Sequence, residues 1–240
     1  MKGTTTVDKI AKKRYLGNLP LISKLMFWAC LLILAVGMVA LFFVHDDEGL
    51  SRVAFQLLET LVMIVALFVP SLLDRKFSVQ LPPYMEVMFV VFCFCSLILG
   101  DVSDFYGRFH WWDTMLHALS GLMLGILAYA ILLQIKQAWR LSPFFVALWV
   151  TCFSLAIGAL WEIIEFTIDG LFGLNSQEFL LSSGTFDTES VPRVGRDALM
   201  DTMVDLVLDF VGALIIGILS YFDSRKRLRS KEHATTMTPV

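Results

Sequence analysis

The sequence predicts an all-α polytopic membrane bundle of about six transmembrane helices with both termini cytoplasmic. Two observations carry the helical membrane class. The 240-residue chain is 57% hydrophobic, with 20 phenylalanines and only 17% charged residues, and its mean hydropathy of +0.73 is far from the balance of a soluble domain. Its apolar residues also gather into six runs, at 22–44, 53–73, 84–100, 115–135, 144–168 and 198–222. At about 1.5 Å of rise per helical residue, each suits a hydrocarbon core of roughly 30 Å.

Taken in order, residues 1–21 form a basic cytoplasmic segment carrying Lys9, Lys12, Lys13 and Arg14. The run that follows is too long for the apolar region of a signal peptide and closes on no small-x-small site, so it reads as an uncleaved anchor. Arg75 and Lys76 after the second run, Lys136 and Arg140 after the fourth, and the basic tail 223–240 fall on the same side as the N-terminus. Positive charge marks that side as cytoplasmic. The opposite loops carry His45, Asp46, Asp47 and Glu48, then the segment DVSDFYGRFHWWD, then a long connection from about 170 to 197. Phe105, Tyr106, Phe109, Trp111 and Trp112 read as an aromatic belt at the outer interface. A connection as long as 170–197 reads as a functional lid or a disordered loop.

No basic tract suggests nucleic acid as a partner, and the small net charge of −3 says little by itself, since in a membrane protein the position of charge matters more than its sum. Membrane lipids are the partners that the apolar runs demand. Cys30, Cys93, Cys95 and Cys152 all lie inside those runs, where a thiol behaves as a small hydrophobe.

Ionisable residues inside the apolar runs are the informative exception. Asp197, Asp201, Asp205 and Asp209 stand four apart in and before the last run, so one helix face carries all of them. A carboxylate at bilayer depth costs on the order of 2.5–3.5 kcal/mol on insertion scales. Asp113 and His117 share a face at the outer start of the fourth helix; Glu162, Glu165 and Asp169 share one at the outer end of the fifth. Three helices thus bring His and carboxylates to one outer depth. Like charges cannot all ionise in a dry site, and Arg108, Arg193 and Arg196 are too few to neutralise them. A divalent metal ion of unknown identity, or shared protons, is the expected compensation.

For a metal, Glu162, Glu165, Asp201, Asp205 and His117 are the candidate ligands, a donor set suited to hard or borderline ions. His117 is also the candidate general acid-base, with Asp113 orienting it as its catalytic partner. Asp209, deeper, is the candidate relay of a proton or cation path. Against these stands the bland reading of His117 as a hydrogen-bonded interface residue, and of Asp169 and Asp197 as helix-end groups in water. Glu59 is a possible further member, whereas Glu86 reads as reaching cytoplasmic water. The Glu-x-x-His pair of di-iron bundles and the His-Glu-x-x-His of zincins are both lacking.

Asp113-x-x-x-His117 with Gly121, Trp161-Glu162-x-x-Glu165, and Asp201-Thr202-x-x-Asp205-x-x-x-Asp209-x-x-Gly212-Ala213 together resemble the bacterial inner-membrane family typified by YjdF. More distantly they are similar to VanZ-type proteins, with Asp209 in place of an Asn and Glu165 in place of a Gln. The resemblance spans roughly 84–222. It implies a multi-pass protein of the bacterial inner membrane and, through VanZ, a link to envelope glycopeptide resistance, but no reaction. Three functions are open at this point. One is a metal-dependent enzyme on a lipid or lipid-linked envelope molecule at the outer leaflet. The others are a cation- or proton-coupled transporter, and a non-catalytic interaction or immunity-type protein that binds a small cationic ligand.

Overall fold

The computed structural model describes residues 21–70, 72–73, 83–135, 137–182, 184–186 and 191–236. Lys9, Lys12, Lys13, Arg14, Arg75, Lys76 and Lys136 lie outside the described residues. The chain is helical, and six of its helical stretches are long and apolar enough to cross a membrane. They are α1 (Leu21–Ala40), α2 (Asp47–Ala66), α3 (Pro83–Cys93, continued as a π-helix over Phe94–Val102), α4 (Trp112–Leu133), α5 (Pro143–Phe172) and α6 (Met200–Thr236). Their outward faces are apolar. Trp28, Leu32, Phe144, Phe166 and Leu219 are each more than half exposed, which only a lipid surround tolerates on this scale.

The helix ends differ from the apolar runs where polar chemistry sets the boundary. α2 starts at Asp47 and not at residue 53, because the Asp46 carboxylate accepts the Gly49 N–H at 2.7 Å and Asp47 and Glu48 occupy its first turn. Ser142 caps α5, accepting the Phe145 N–H with Pro143 in the first turn. α6 runs well past 222 into the basic tail, where Arg227 donates to Asp223 at 2.6 Å across one turn. In α3 the π-segment widens the helix and carries it to Val102, its end marked by Ser103 N–H to Ile98 O at 2.9 Å. Gln56 of α2 reaches across to the Val102 carbonyl.

Two halves can be distinguished. α1, α2 and α3 pack around Cys30, Met63, Leu67, Val90 and Ile98. α4, α5 and α6 form the tighter unit, with α6 laid along both of the others. Gly121 of α4 and Gly158 of α5 make this approach possible. A Cβ at Gly121 would strike the Asp209 backbone of α6, and one at Gly158 would strike the Asp209 carboxylate. Ser154 of α5 adds a hydrogen bond to the Gly121 carbonyl at 3.0 Å. Between helices in lipid, where burial of apolar surface drives little, such small-residue contacts and polar bonds hold the packing.

The connection after α5 is an organised cap over one end of the bundle. Asp169 accepts the Ser176 and Gln177 N–H groups at 2.8 and 2.9 Å. Asn175, 1% exposed, accepts from Leu180 N–H and donates to the Ser182 carbonyl, and Leu180 bridges to Pro192 in antiparallel register. The aromatic segment does not form a uniform interfacial belt. Trp112 is buried and donates to the Cys95 carbonyl at 3.2 Å, and Tyr106 turns inward to Ser96 at 3.1 Å, while Trp111 remains exposed.

The packing predicts a contrast between two helical glycines. Gly121→Ala should lower stability by about 1–3 kcal/mol, since backbone and not a flexible side chain must move. Gly170→Ala, with nothing within 4 Å of its Cβ position, should be neutral or stabilising by at most about 1 kcal/mol. Thermal melting of both variants in one detergent measures the difference.

Candidate functional site

Asp209 lies where α4, α5 and α6 cross, and it is fully buried. Its Oδ2 is 3.3 Å from His117 Nδ1, and its Oδ1 makes a very short contact with the Ser120 hydroxyl. Ser120 is three residues after His117 on α4, which lets the same hydroxyl lie 2.8 Å from the His117 carbonyl. Nδ1 is thus the ring nitrogen turned to Asp209, and Nε2 faces the other way.

What Nε2 meets is two further carboxyl groups. Asp113 Oδ1 is 3.7 Å away and Glu162 Oε1 is 3.9 Å away. Asp113, His117 and Asp205 offer ligand atoms that all lie within 4.8 Å of one another. Glu162 is 5% exposed, and its carboxylate oxygens make no close hydrogen bond among the described residues, with Thr202 and Gln177 as polar neighbours. Distances of 3.7 and 3.9 Å are too long for hydrogen bonds. They suit ligands on either side of an ion, since nitrogen and oxygen ligands stand about 2.0–2.2 Å from zinc.

The remaining ionisable residues divide by place. Burial rises along the ladder: Asp197 is exposed, Asp201 half-buried, Asp205 2% exposed and Asp209 fully buried. Glu165 lies away from Nε2, accepting the Trp161 indole N–H at 2.7 Å. Asp169 serves the cap loop, and Glu86 is 7% exposed. The ring orientation expected of Asp113 is provided from Nδ1 by Asp209, with Asp113 on the Nε2 side. The arginines stay outside the cluster. Arg193 donates to the Leu180 carbonyl at 2.7 Å and stands 4.0 Å from Glu178; Arg108 pairs with exposed Asp104; Arg196 is exposed in the turn before α6.

Two cavities flank the cluster. One, of about 300 Å³, is walled by apolar side chains such as Phe89, Phe92, Met123 and Ile157 and reaches Asp113, His117 and Asp209. The other, of about 290 Å³, lies under the cap loop and includes Glu59, Asp101 and Glu165. Asp113, Tyr106 and Trp161 line both. Burial, followed by the charges of Asp101 and Asp113, pushes the Tyr106 phenol well above its ordinary range, so it remains a neutral hydrogen-bonding group.

Asp101, Thr185 and Tyr106 are site residues that sequence reasoning missed. Asp101 sits at the end of an apolar run and reads as a loop residue; the π-helix keeps it helical and half-buried, where it accepts the Thr185 hydroxyl at 2.5 Å. No spacing in the sequence announces a π-turn. The inward Tyr106 had a faint signal in the adjacent Gly107 and Gly100, but its aromatic neighbours masked it.

Residues 26–226 match the family described as Predicted membrane protein (DUF2238), which is the YjdF family. An uncharacterized protein of Thermotoga maritima is 26% identical over 157 residues, covering 64% of this chain and 70% of the relative. No solved structure matches.

The site geometry predicts graded costs along the ladder. Asp209→Ala strands His117 and Ser120 in a buried setting and should cost about 3–5 kcal/mol. Asp201→Ala, half-exposed, should cost under about 1 kcal/mol. Chemical or thermal unfolding in detergent tests the order, and equal losses at the two positions would contradict it.

Proposed function

The chain belongs to the DUF2238 family of predicted membrane proteins, and for this multi-pass member we propose a divalent-metal centre at His117, Asp113, Glu162 and Asp205 that serves a reaction on a lipid or lipid-linked envelope molecule. The observation that carries the reading is the buried Glu162 carboxylate, which makes no close hydrogen bond among the described residues and stands through Oε1 3.9 Å from His117 Nε2. Buried acceptors left without partners cost free energy. A cation between the imidazole and these carboxylates removes that cost and separates the like charges.

In this reading Asp209 is a positioning residue. It holds the His117 ring through Nδ1 and so aims Nε2, the arrangement common to metal-bound imidazoles. Ser120 in turn holds Asp209. Asp201, a turn from Asp205, and Glu165, beyond Trp161, border the centre. A bound divalent ion would supply Lewis-acid charge at the head of the cavity. The apolar wall of Phe89, Phe92, Met123 and Ile157 suits an acyl or polyprenyl chain, which would present its polar end to His117 and Asp113. Asp113 and His117 are then placed to hold or move a proton at that end.

The positive-inside pattern supports a bacterial inner-membrane location with this end of the bundle outward. The VanZ-like order of Asp113, His117, Glu162 and Asp209 supports an envelope substrate. A relay through Asp209 is less favoured, because its carboxylate is closed in by His117, Ser120 and Gly158.

Elemental analysis of protein purified without chelator tests the centre. About one equivalent of a divalent metal per chain is expected, with a loss of at least tenfold in Glu162→Gln and Asp205→Asn. Chelation should lower the melting temperature of the wild type and leave those variants unmoved. Metal-free wild-type protein that is indifferent to both chelator and added divalent ions overturns the reading.

A further inference from the structure

The cavity under the cap loop has a lining of one sign. Glu59, Asp101, Asp113, Glu165 and Glu178 border its roughly 290 Å³, and no Lys or Arg is among the described residues that line it. Most of these carboxylates have partners: Thr185 for Asp101, Trp161 for Glu165, and Arg193 for Glu178. Asp113 stands 3.7 Å from His117, and Glu59, more buried than Asp113, has no such partner. It is 7% exposed, within hydrogen-bonding reach of Asp101, and its Oε2 is sealed from solvent with no hydrogen-bond partner among the described residues. An unpartnered carboxylate oxygen at the wall of a cavity calls for a donor inside it.

The rest of the wall decides the kind of donor. Phe55, Leu58, Val62, Ile164, Trp161 and Phe172 are carbon surface, whereas a bare hard cation wants oxygen ligands on all sides. The volume stands at the low end of small-molecule sites, about 300–1,000 Å³, and far exceeds that of one ion. Carboxylates at one end and aromatic rings around the remainder match an ammonium group on a carbon body.

We propose that this cavity binds a primary amine, its ammonium between Glu59 and Asp101 and its carbon body against Phe55, Trp161 and Phe172. The amine is either the headgroup of an aminophospholipid or a free alkylamine. Arg52, held on the Phe186 carbonyl at 3.4 Å beside the Phe55–Phe186 ring pair, stands near the rim as a cation for a headgroup phosphate. The proposal does not rest on the metal centre, since Glu59 and Asp101 are not among its ligands.

Calorimetric titration of the full chain in nonionic detergent tests it, with n-butylammonium, n-butanol, dioctanoyl phosphatidylethanolamine and dioctanoyl phosphatidylglycerol as probes. Butylammonium should bind saturably and butanol at least tenfold more weakly. Glu59→Gln and Asp101→Asn should each weaken amine binding at least tenfold at an unchanged melting temperature, and Glu162→Gln should keep it. Tighter binding of phosphatidylethanolamine than of butylammonium, with phosphatidylglycerol weak, supports the headgroup; the reverse order supports the free amine. The proposal falls if the wild type binds butylammonium no better than butanol. It falls equally if folded Glu59→Gln and Asp101→Asn both bind the amine as the wild type does.

Discussion

The buried carboxylate of Asp209 is the point on which the second half of the bundle is built. Gly121 gives α6 room against α4, and Gly158 gives the Asp209 side chain room against α5. A larger residue at either place would separate the helices and leave the carboxylate in lipid or in a void. With the crossing fixed, the depths of His117, Glu162 and Asp205 follow, because each lies within about one helical turn of the contact. In lipid, where packing has no hydrophobic drive of its own, the polar contacts of Asp209 with His117 and Ser120 contribute to holding the helices as well as to shaping the site.

Sequence alone carried the class, the six spans and the convergence of acids on one end. Those depend on run length and spacing, which are local. It did not carry which carboxylate meets which nitrogen. Residues four apart on a helix drift roughly 40° per step, so the ladder from Asp197 to Asp209 winds from the surface into the bundle. Asp209 is the most buried member of the ladder, within hydrogen-bonding distance of His117. The face of α4 that receives it is set by Gly121, whose role is visible only once the partner helix is placed. Asp101 shows the same limit from another side, since a π-turn changes which residues share a face without changing the composition that a reader sees.

Two chambers therefore share a wall that includes Asp113, Tyr106 and Trp161. The sharing has a physical consequence. Tyr106, kept neutral, separates the Asp101 carboxylate from that of Asp113 without adding charge, and its hydroxyl is occupied by Ser96. The cap loop completes the partition, with Thr185 on Asp101 and Gln177 reaching Thr202 of α6 at 3.0 Å. Among the described residues of this loop, Asp169 and Asn175 bond the backbone of Ser176, Gln177, Leu180 and Ser182, which helps to hold those contacts in place.

The charge balance of this end gives the arrangement its meaning. Arginine is the residue best able to neutralise buried carboxylates in place, and the arginines near this end are committed elsewhere. Arg193 braces the cap loop, Arg52 lies over the Phe186 ring, and Arg108 pairs with Asp104 at the surface. A structural cluster that merely tied helices together would draw such cations inward, since breaking an acid-acid contact with an internal guanidinium stabilises both. Here the sequence places carboxylates inside and arginines around them, leaving His117 as the one basic side chain among Asp113, Glu162, Asp205 and Asp209. Such a centre can approach neutrality in two ways, by protonation of its carboxyl groups, which leaves a polar packing motif, or by a cation held between them, which makes it a binding site.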